Sequence, residues 1–140
     1  MTRCARARRR GTDPRVERLR TIALLATLPR RELDLLARHV DWTTRPTGTV
    51  LSRQGHFGPQ CFLLAVGHLA IVRDGQAIGV LGPGTIAGER APLTSLVCTE
   101  RLIALTPIEV AVLDARSLQI VLNSSAVLGT EVRRLMAERA

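Results

Sequence analysis

The stretch LGPGTIAGE, residues 81–89, ends one aliphatic run of the chain and begins another. Its glycines follow the spacing Gly-x-Gly-x-x-x-Gly, which differs from the Gly-x-Gly-x-x-Gly of a dinucleotide-binding turn, and no Gly-Lys-Ser/Thr follows them. The surrounding sequence also lacks the strand–helix–strand pattern that such a turn needs. We therefore interpret Gly82, Gly84 and Gly88 as turn residues between short β-strands.

Outward from this stretch, short β-branched and aliphatic runs alternate with turn residues. The dipeptide Asp74-Gly75 lies between two such runs and predicts a tight hairpin, because that turn requires positive φ. Many short strands at this spacing predict a roll, a barrel or a sandwich of about six to eight strands. The predicted strands are residues 49–52, 61–66, 68–73, 77–81, 97–105 and 108–113.

Helical periodicity flanks the strands on both sides. A first helix is predicted from Pro14 to Ala26, and a second helix follows Pro29. After the strands, Asp114 is placed to cap a third helix, and a last amphipathic helix follows Ser125. The apolar stripes of the four helices are Val16, Leu19, Ile22, Ala23 and Ala26; Leu33, Leu36, Ala37 and Val40; Leu118, Val121 and Leu122; and Leu128, Val132, Leu135 and Met136.

The formal net charge of +8 is concentrated near the N-terminus. Residues 1–20 hold eight arginines against Asp13 and Glu17, whereas residues 21–140 hold twelve arginines against ten acidic residues. Residues 1–13 have almost nothing apolar to bury, so we predict a disordered Arg-rich tail and one domain over residues 14–140. The tail is a candidate for non-specific nucleic-acid binding through its charge, and a solvated tail is the alternative.

The composition argues against several other classes of protein. Trp42, Phe57 and Phe62 are too few aromatic rings for a protein that stacks single-stranded bases. The cysteines and histidines are scattered, without metal-ligand or disulfide spacing, as is typical of a reducing cytoplasm. No apolar run approaches the ~20 residues of a membrane span, and no nucleophile, base and acid form a catalytic grouping. We predict a cytoplasmic protein that is not an enzyme.

Five segments in the same order resemble the cyclic nucleotide-binding domain family of catabolite activators and protein kinase regulatory subunits. These segments are residues 46–55, 62–67, 72–75, 81–89 and 104–114. The resemblance extends from about Leu19 to Met136. It implies an α+β, mainly β, fold: a β-roll (a double-stranded β-helix or jelly roll) flanked by N- and C-terminal helices.

The resemblance identifies residues 88–99 as the phosphate-binding cassette of that family. It implies that Gly88 and the backbone as far as Ala91 approach a cyclic phosphate. It also implies that Glu89 accepts a hydrogen bond from the ribose 2′-hydroxyl and that Thr99 helps to hold the phosphate or the base.

The chain departs from the family at the position of its phosphate-binding arginine. Ten residues after Gly88, where the family has that arginine, this chain has Cys98. Arg90 replaces an aliphatic residue of the family, and His56 stands where the family often has an acidic one. Arg90 and Arg101 are candidate replacements for the arginine, although Arg101 is predicted to point to the opposite face of its strand.

The resemblance therefore implies a stand-alone regulatory or sensory module with a degenerate cassette that binds cAMP or a related nucleotide weakly. The alternative is a domain that binds no nucleotide and serves as a protein-interaction or dimerisation module. In the family the last helix also pairs subunits, so a homodimer through the C-terminal helix is a candidate assembly. No DNA-reading domain is expected after that helix, because the sequence ends at Ala140.

Overall fold

The computed structural model describes residues 13–58, 60–88 and 96–138. Apart from Asp13, the predicted Arg-rich tail lies outside these ranges. The helical elements are α1 (Pro14–Arg20), a 3₁₀ turn (Ala23–Leu25), α2 (Arg30–His39), α3 (Ala115–Ser124) and α4 (Ala126–Glu138). Among the described residues, none of these helices is long and apolar enough to cross a membrane.

Eight β-strands of the described chain lie between α2 and α3. They are β1 (Asp41–Arg45), β2 (Val50–Ser52), β3 (Gln60–Val66), β4 (Leu69–Arg73), β5 (Gln76–Leu81), β6 (Thr85–Ala87), β7 (Arg101–Ala104) and β8 (Ile108–Asp114). They form two antiparallel sheets with the orders β1-β8-β3-β6 and β2-β7-β4-β5. This mainly β architecture with helices before and after it confirms the predicted fold class.

Strand β3 separates two hydrophobic cores. Cys61 and Leu63 pack in a cluster with the helices, whereas Phe62 and Leu64 pack inside the roll against the second sheet. Successive side chains of a strand point to opposite faces, so β3 is covered on both sides. This explains why its sequence reads as a continuous aliphatic run rather than an alternating one.

The hairpin predicted at Asp74-Gly75 is present. Asp74 has φ 52° and Gly75 has φ 79°, as a tight turn with two left-handed residues requires. The turn connects β4 to β5 with Arg73 opposite Gln76.

The predicted cap of α3 and the predicted apolar stripe of α4 are also present. The Asp114 side chain accepts a hydrogen bond of 2.7 Å from the Ser117 backbone N–H at the start of α3. In α4, Leu128 and Val132 are buried in the helical core, and Leu135 and Met136 pack against it. The terminal stripe therefore packs on the domain itself.

The first predicted helix was too long. Helix α1 ends at Arg20, and Ile22 is extended, so the chain bends before the 3₁₀ turn. The bend lets the Leu24 N–H donate to the Gly84 carbonyl at 3.2 Å. Consequently Ala23 and Ala26, predicted for the buried stripe, are exposed, and Leu25 and Leu28 are buried instead.

The strand predicted over residues 97–105 was also too long. Only Arg101–Ala104 belongs to a sheet, and Val97 makes an isolated bridge to Phe57. Strands β1 and β6 were not predicted from the sequence. Strand β1 is mostly polar, and β6 has three residues, so neither carries a strong period of its own.

Candidate functional site

A cavity of about 240 Å³ lies where β2, the start of β3 and the segment before β7 meet. It brings Cys98, which the sequence predicted for the site, together with polar and basic side chains that the sequence did not. The residues of its wall used below are Ser52, Arg53, His56, Gln60, Phe62 and Cys98.

Backbone pairing fixes the position of Cys98. The Gly58 N–H donates to the Leu96 carbonyl at 3.0 Å, and the Cys98 N–H donates to the His56 carbonyl at 2.9 Å. The Gly55 N–H donates to the Cys98 carbonyl at 2.8 Å. These three hydrogen bonds align the segment before β7 with the segment before β3. They fix the position of residue 98 in the cavity wall.

The Cys98 side chain is 8% exposed and packs directly over Gly58. Its Sγ lies 3.7 Å from the Gly58 carbonyl oxygen. A Cβ on Gly58 would lie 2.5 Å from that sulfur, which is closer than two such atoms approach. Any side chain at position 58 therefore requires Cys98 Sγ to move, a constraint that was not predicted from the sequence.

Gly88 lies at the end of β6 in a conformation that favours glycine. Its φ is +73°, and an added Cβ would lie 3.2 Å from the Gln60 carbonyl oxygen and 3.4 Å from the Phe62 ring. Gln60 and Phe62 both line the cavity. Gly88, the first residue of the predicted cassette, therefore lies next to two residues that line the cavity, and Cys98, near its end, lines the cavity itself.

The remaining predicted site residues that the structure describes are not among those that line the cavity. Glu89, Arg90 and Ala91 lie outside the described residues. Thr99 is exposed, immediately after the buried Cys98. Arg101 is exposed at the start of β7, opposite Val72 of β4.

A tight turn between β2 and β3 supplies side chains that the sequence analysis did not assign to the site. The His56 N–H donates to the Arg53 carbonyl at 3.1 Å, which closes a four-residue turn. Gln54 then anchors the turn to the β4–β5 hairpin: its Nε2 donates to Asp74 Oδ1 at 2.8 Å, and its Oε1 accepts from the Asp74 N–H at 2.8 Å. The signal that could have found this turn is Gly55, because the turn needs a residue with positive φ there.

Two carboxylates near the cavity already have partners. Glu100 accepts a hydrogen bond of 2.6 Å from Arg73, and its backbone carbonyl accepts from Ser52 Oγ at 3.0 Å. Asp74 is held by Gln54. Among residues 13–58, 60–88 and 96–138, no three metal-ligating side chains form a group that could hold a metal ion.

Comparison with known proteins agrees with this geometry. The family model of the cyclic nucleotide-binding domain matches residues 43–125, more than half of the chain. The cGMP-dependent protein kinase egl-4 of Caenorhabditis briggsae is 32% identical over 74 residues, which cover 53% of this chain and 10% of the kinase. The chain thus matches about a tenth of the length of this curated relative.

Two solved structures share the fold. The Catabolite Activator Protein of Thermus thermophilus has a TM-score of 0.73 at 24% identity, covering 84% of this chain and 57% of that one. The regulatory subunit of a cAMP-independent protein kinase A from Trypanosoma brucei has a TM-score of 0.79 at 20% identity, covering 90% and 46%. With the family match over the roll and α3, these findings confirm the resemblance: the chain belongs to the cyclic nucleotide-binding domain family.

Proposed function

We propose that the chain is a regulatory module that binds cAMP or a related cyclic nucleotide weakly in the cavity beside Cys98. The observation that carries this proposal is that Cys98 lines the cavity and that Gly88 neighbours Gln60 and Phe62, which line it too. A ligand held by the chain between those two residues would lie against β2 and β3.

The proposed roles of the site residues follow the family resemblance. Glu89 would accept a hydrogen bond from the ribose 2′-hydroxyl, and the backbone of residues 88–91 would donate to the phosphate. Thr99, which is exposed beside Cys98, would donate its hydroxyl to the phosphate or the base. We propose no catalytic step for this site.

Weak binding is expected because Cys98 brings no charge to the phosphate. Each charge-assisted hydrogen bond is worth roughly 1.5–3 kcal/mol, and about 1.4 kcal/mol corresponds to a tenfold change in affinity. Replacing the family arginine with cysteine therefore removes a tenfold factor or more.

Titration calorimetry of the full chain with cAMP, and in parallel with cGMP, tests the proposal. We expect saturable binding that Glu89→Ala weakens. We expect Cys98→Arg to raise the affinity about tenfold or more by restoring a guanidinium fork to the cavity.

Cys98→Ala is the matched control, because it changes the same buried position without adding a charge. It should leave the nucleotide affinity close to that of the wild-type chain. Absence of heat with either nucleotide at millimolar concentration would reject the binding proposal.

The second candidate function is a protein-interaction or dimerisation module that binds no nucleotide. It is favoured by the similarity to a kinase subunit described as cAMP-independent, and by Ile120 and Val127, which are exposed on α3 and α4. Sedimentation of the wild-type chain and of Val127→Glu tests it. A dimer that Val127→Glu dissociates would support this candidate, and a monomer at every concentration would reject a homodimer.

We also propose that residues 1–13 are a disordered tail outside a domain of residues 14–140. Brief trypsin treatment should cleave among the N-terminal arginines and leave a stable fragment that starts near Pro14. If the tail binds nucleic acid, its deletion should abolish a binding that is strongest at low salt. Resistance of residues 3–10 to trypsin would contradict the disorder.

A further inference from the structure

The turn between β2 and β3 places two basic side chains next to each other. Arg53 and His56 are the first and fourth residues of this turn, and Gly55 at its third position has φ +82°, as a type II turn requires. The Cα atoms of the first and fourth residues of such a turn lie within about 7 Å of each other. The Arg53 and His56 side chains therefore start from neighbouring points on the cavity wall.

The same turn is bonded to residue 98. The Gly55 N–H donates to the Cys98 carbonyl at 2.8 Å, and the His56 carbonyl accepts from the Cys98 N–H at 2.9 Å. The turn that carries Arg53 and His56 is thus hydrogen-bonded to the backbone of Cys98, the position at which the family has an arginine. Gln54, held by Asp74 through two hydrogen bonds of 2.8 Å, fixes the turn from the other side.

Arg53 and His56 line two adjoining depressions of the surface. One is the cavity of about 240 Å³ that Cys98 also lines. The other is a groove of about 500 Å³ that Arg101 also lines. The pair therefore lies between the cavity and the groove, and both residues are exposed to solvent.

The positive charge at this wall is not neutralised within the described ranges. The Glu100 carboxylate is paired with Arg73, and Asp74 is hydrogen-bonded to Gln54. None of the ion pairs among the described residues involves Arg53 or Arg101. An anion in the cavity would meet a guanidinium that has no ion-pair partner among the described residues, which is a favourable arrangement for a phosphate.

We propose that Arg53, assisted by His56, is the positive partner of the phosphate in this cavity and takes the place of the arginine missing at position 98. The ligand is a small nucleotide with a singly charged phosphodiester. This inference rests on the proposed function and adds a residue to its binding site. It moves the charge from position 98 to the turn that pairs with it.

The test compares a charged and an uncharged ligand of the same base and sugar. Calorimetry of the full chain is carried out with cAMP and with adenosine, using the wild-type chain, Arg53→Gln and the control Arg38→Gln. Arg38 is exposed on α2, outside the residues that line the cavity and the groove, and the control removes the same charge.

We expect the wild-type chain to bind cAMP more tightly than adenosine. Arg53→Gln should lower the cAMP affinity about tenfold or more and leave the adenosine affinity unchanged. His56→Gln should have a smaller effect in the same direction, and Arg38→Gln should have none. Unchanged adenosine binding also shows that the variant cavity is intact.

Two other outcomes overturn the inference, and they differ from each other. If Arg53→Gln binds cAMP as the wild type does while Arg90→Gln loses the preference for cAMP, the phosphate partner is Arg90 and the binding function stands. If the wild-type chain binds neither cAMP nor adenosine, the proposed function fails and the inference fails with it.

Discussion

At the scale of the residue, the Cys98 side chain occupies the space that a side chain at position 58 would need. A Cβ at position 58 would lie 2.5 Å from Cys98 Sγ, so Gly58→Ala must displace one wall of the cavity. Overpacking of this kind typically costs about 1–3 kcal/mol. We expect urea denaturation to show a lower midpoint for Gly58→Ala than for the wild type, with a free energy of unfolding reduced by that amount.

The double variant Gly58→Ala/Cys98→Ala is the control for this prediction. Removing the sulfur should recover most of the lost stability, because the clash is with Sγ alone. A double-mutant cycle measures the coupling. If the changes in the free energy of unfolding of the two single variants simply add in the double variant, the two residues do not compete for the same space.

The sequence predicted Gly88 and Cys98 for the site but not Gly58 or Arg53. Gly88 and Cys98 are parts of one local motif, which a single stretch of sequence carries. Gly58 is constrained by a residue forty positions away, through a pairing of two irregular segments. The sequence shows no periodic signal for such a pairing, so Gly58 and Arg53 could not be assigned to the cavity from it.

At the scale of the element, the β4–β5 hairpin depends on its turn. Gly75 has φ +79°, and an added Cβ would meet no atom within 4 Å. Gly75→Ala should therefore destabilise the domain only through the left-handed backbone conformation, by about 1–2 kcal/mol. Thermal or urea denaturation should show this decrease in the free energy of unfolding.

Gly79 in β5 is the matched control for this prediction. Its φ lies outside the left-handed region, and an added Cβ would come no closer than 4.0 Å to Ile71. Gly79→Ala should leave the stability unchanged or raise it by about 0.5–1 kcal/mol. Equal losses at the two positions would show that φ is not the cause.

The start of α3 depends on a charged cap. The hydrogen bond from the Ser117 backbone N–H holds the pKa of the Asp114 carboxyl below its ordinary value of 3.8. A carboxyl with a lowered folded pKa stabilises the fold above its unfolded pKa, and this contribution is lost as the pH falls through the folded value.

Asp114→Ala should therefore cost about 1 kcal/mol at neutral pH, the usual loss for a helix cap. The difference from the wild type should shrink at pH values well below 3.8. Denaturation curves at pH 7 and at acid pH measure it. A difference that stays constant over this range would mean that the carboxylate charge has no part in the cap.

Elements with a strong local signal were predicted and the others were not. The Asp74-Gly75 turn and the Asp114 cap are determined by residues adjacent in sequence, and both are present. The end of α1 was wrong because the hydrogen bond from Leu24 to Gly84 bends the chain there. That bond joins residues sixty positions apart, which helical periodicity cannot reveal.

At the scale of the whole molecule, α4 is part of the core that the helices form with β3 and β8. Leu128 is 1% exposed, and Val127 beside it is 44% exposed. Leu128→Ala should destabilise the domain by about 2–5 kcal/mol, whereas Val127→Ala should stay within about 0.5 kcal/mol of the wild type. Urea denaturation of the two variants measures this.

Comparable losses in the two variants would contradict the packing of α4 on the domain. Because its buried stripe is used within the molecule, a homodimer through α4 would have to use the exposed residues of that helix. Dimerisation therefore stays a prediction that the sedimentation experiment addresses.

A β-roll flanked by helices was predicted from the sequence, but the pairing of its strands was not. Alternation and aliphatic runs show which residues are buried. They do not show that β1, from the start of the roll, pairs with β8 at its end. That pairing is a property of the closed roll and joins segments more than sixty residues apart.

The two covered faces of β3 bring the cavity close to the helices. Phe62 lines the cavity, and the next residue, Leu63, belongs to the core beneath the helices. One peptide unit, about 3.3 Å of strand, separates the two environments. A displacement of β3 by an occupant of the cavity would thus reach the helical layer directly, with no intervening loop to absorb the movement.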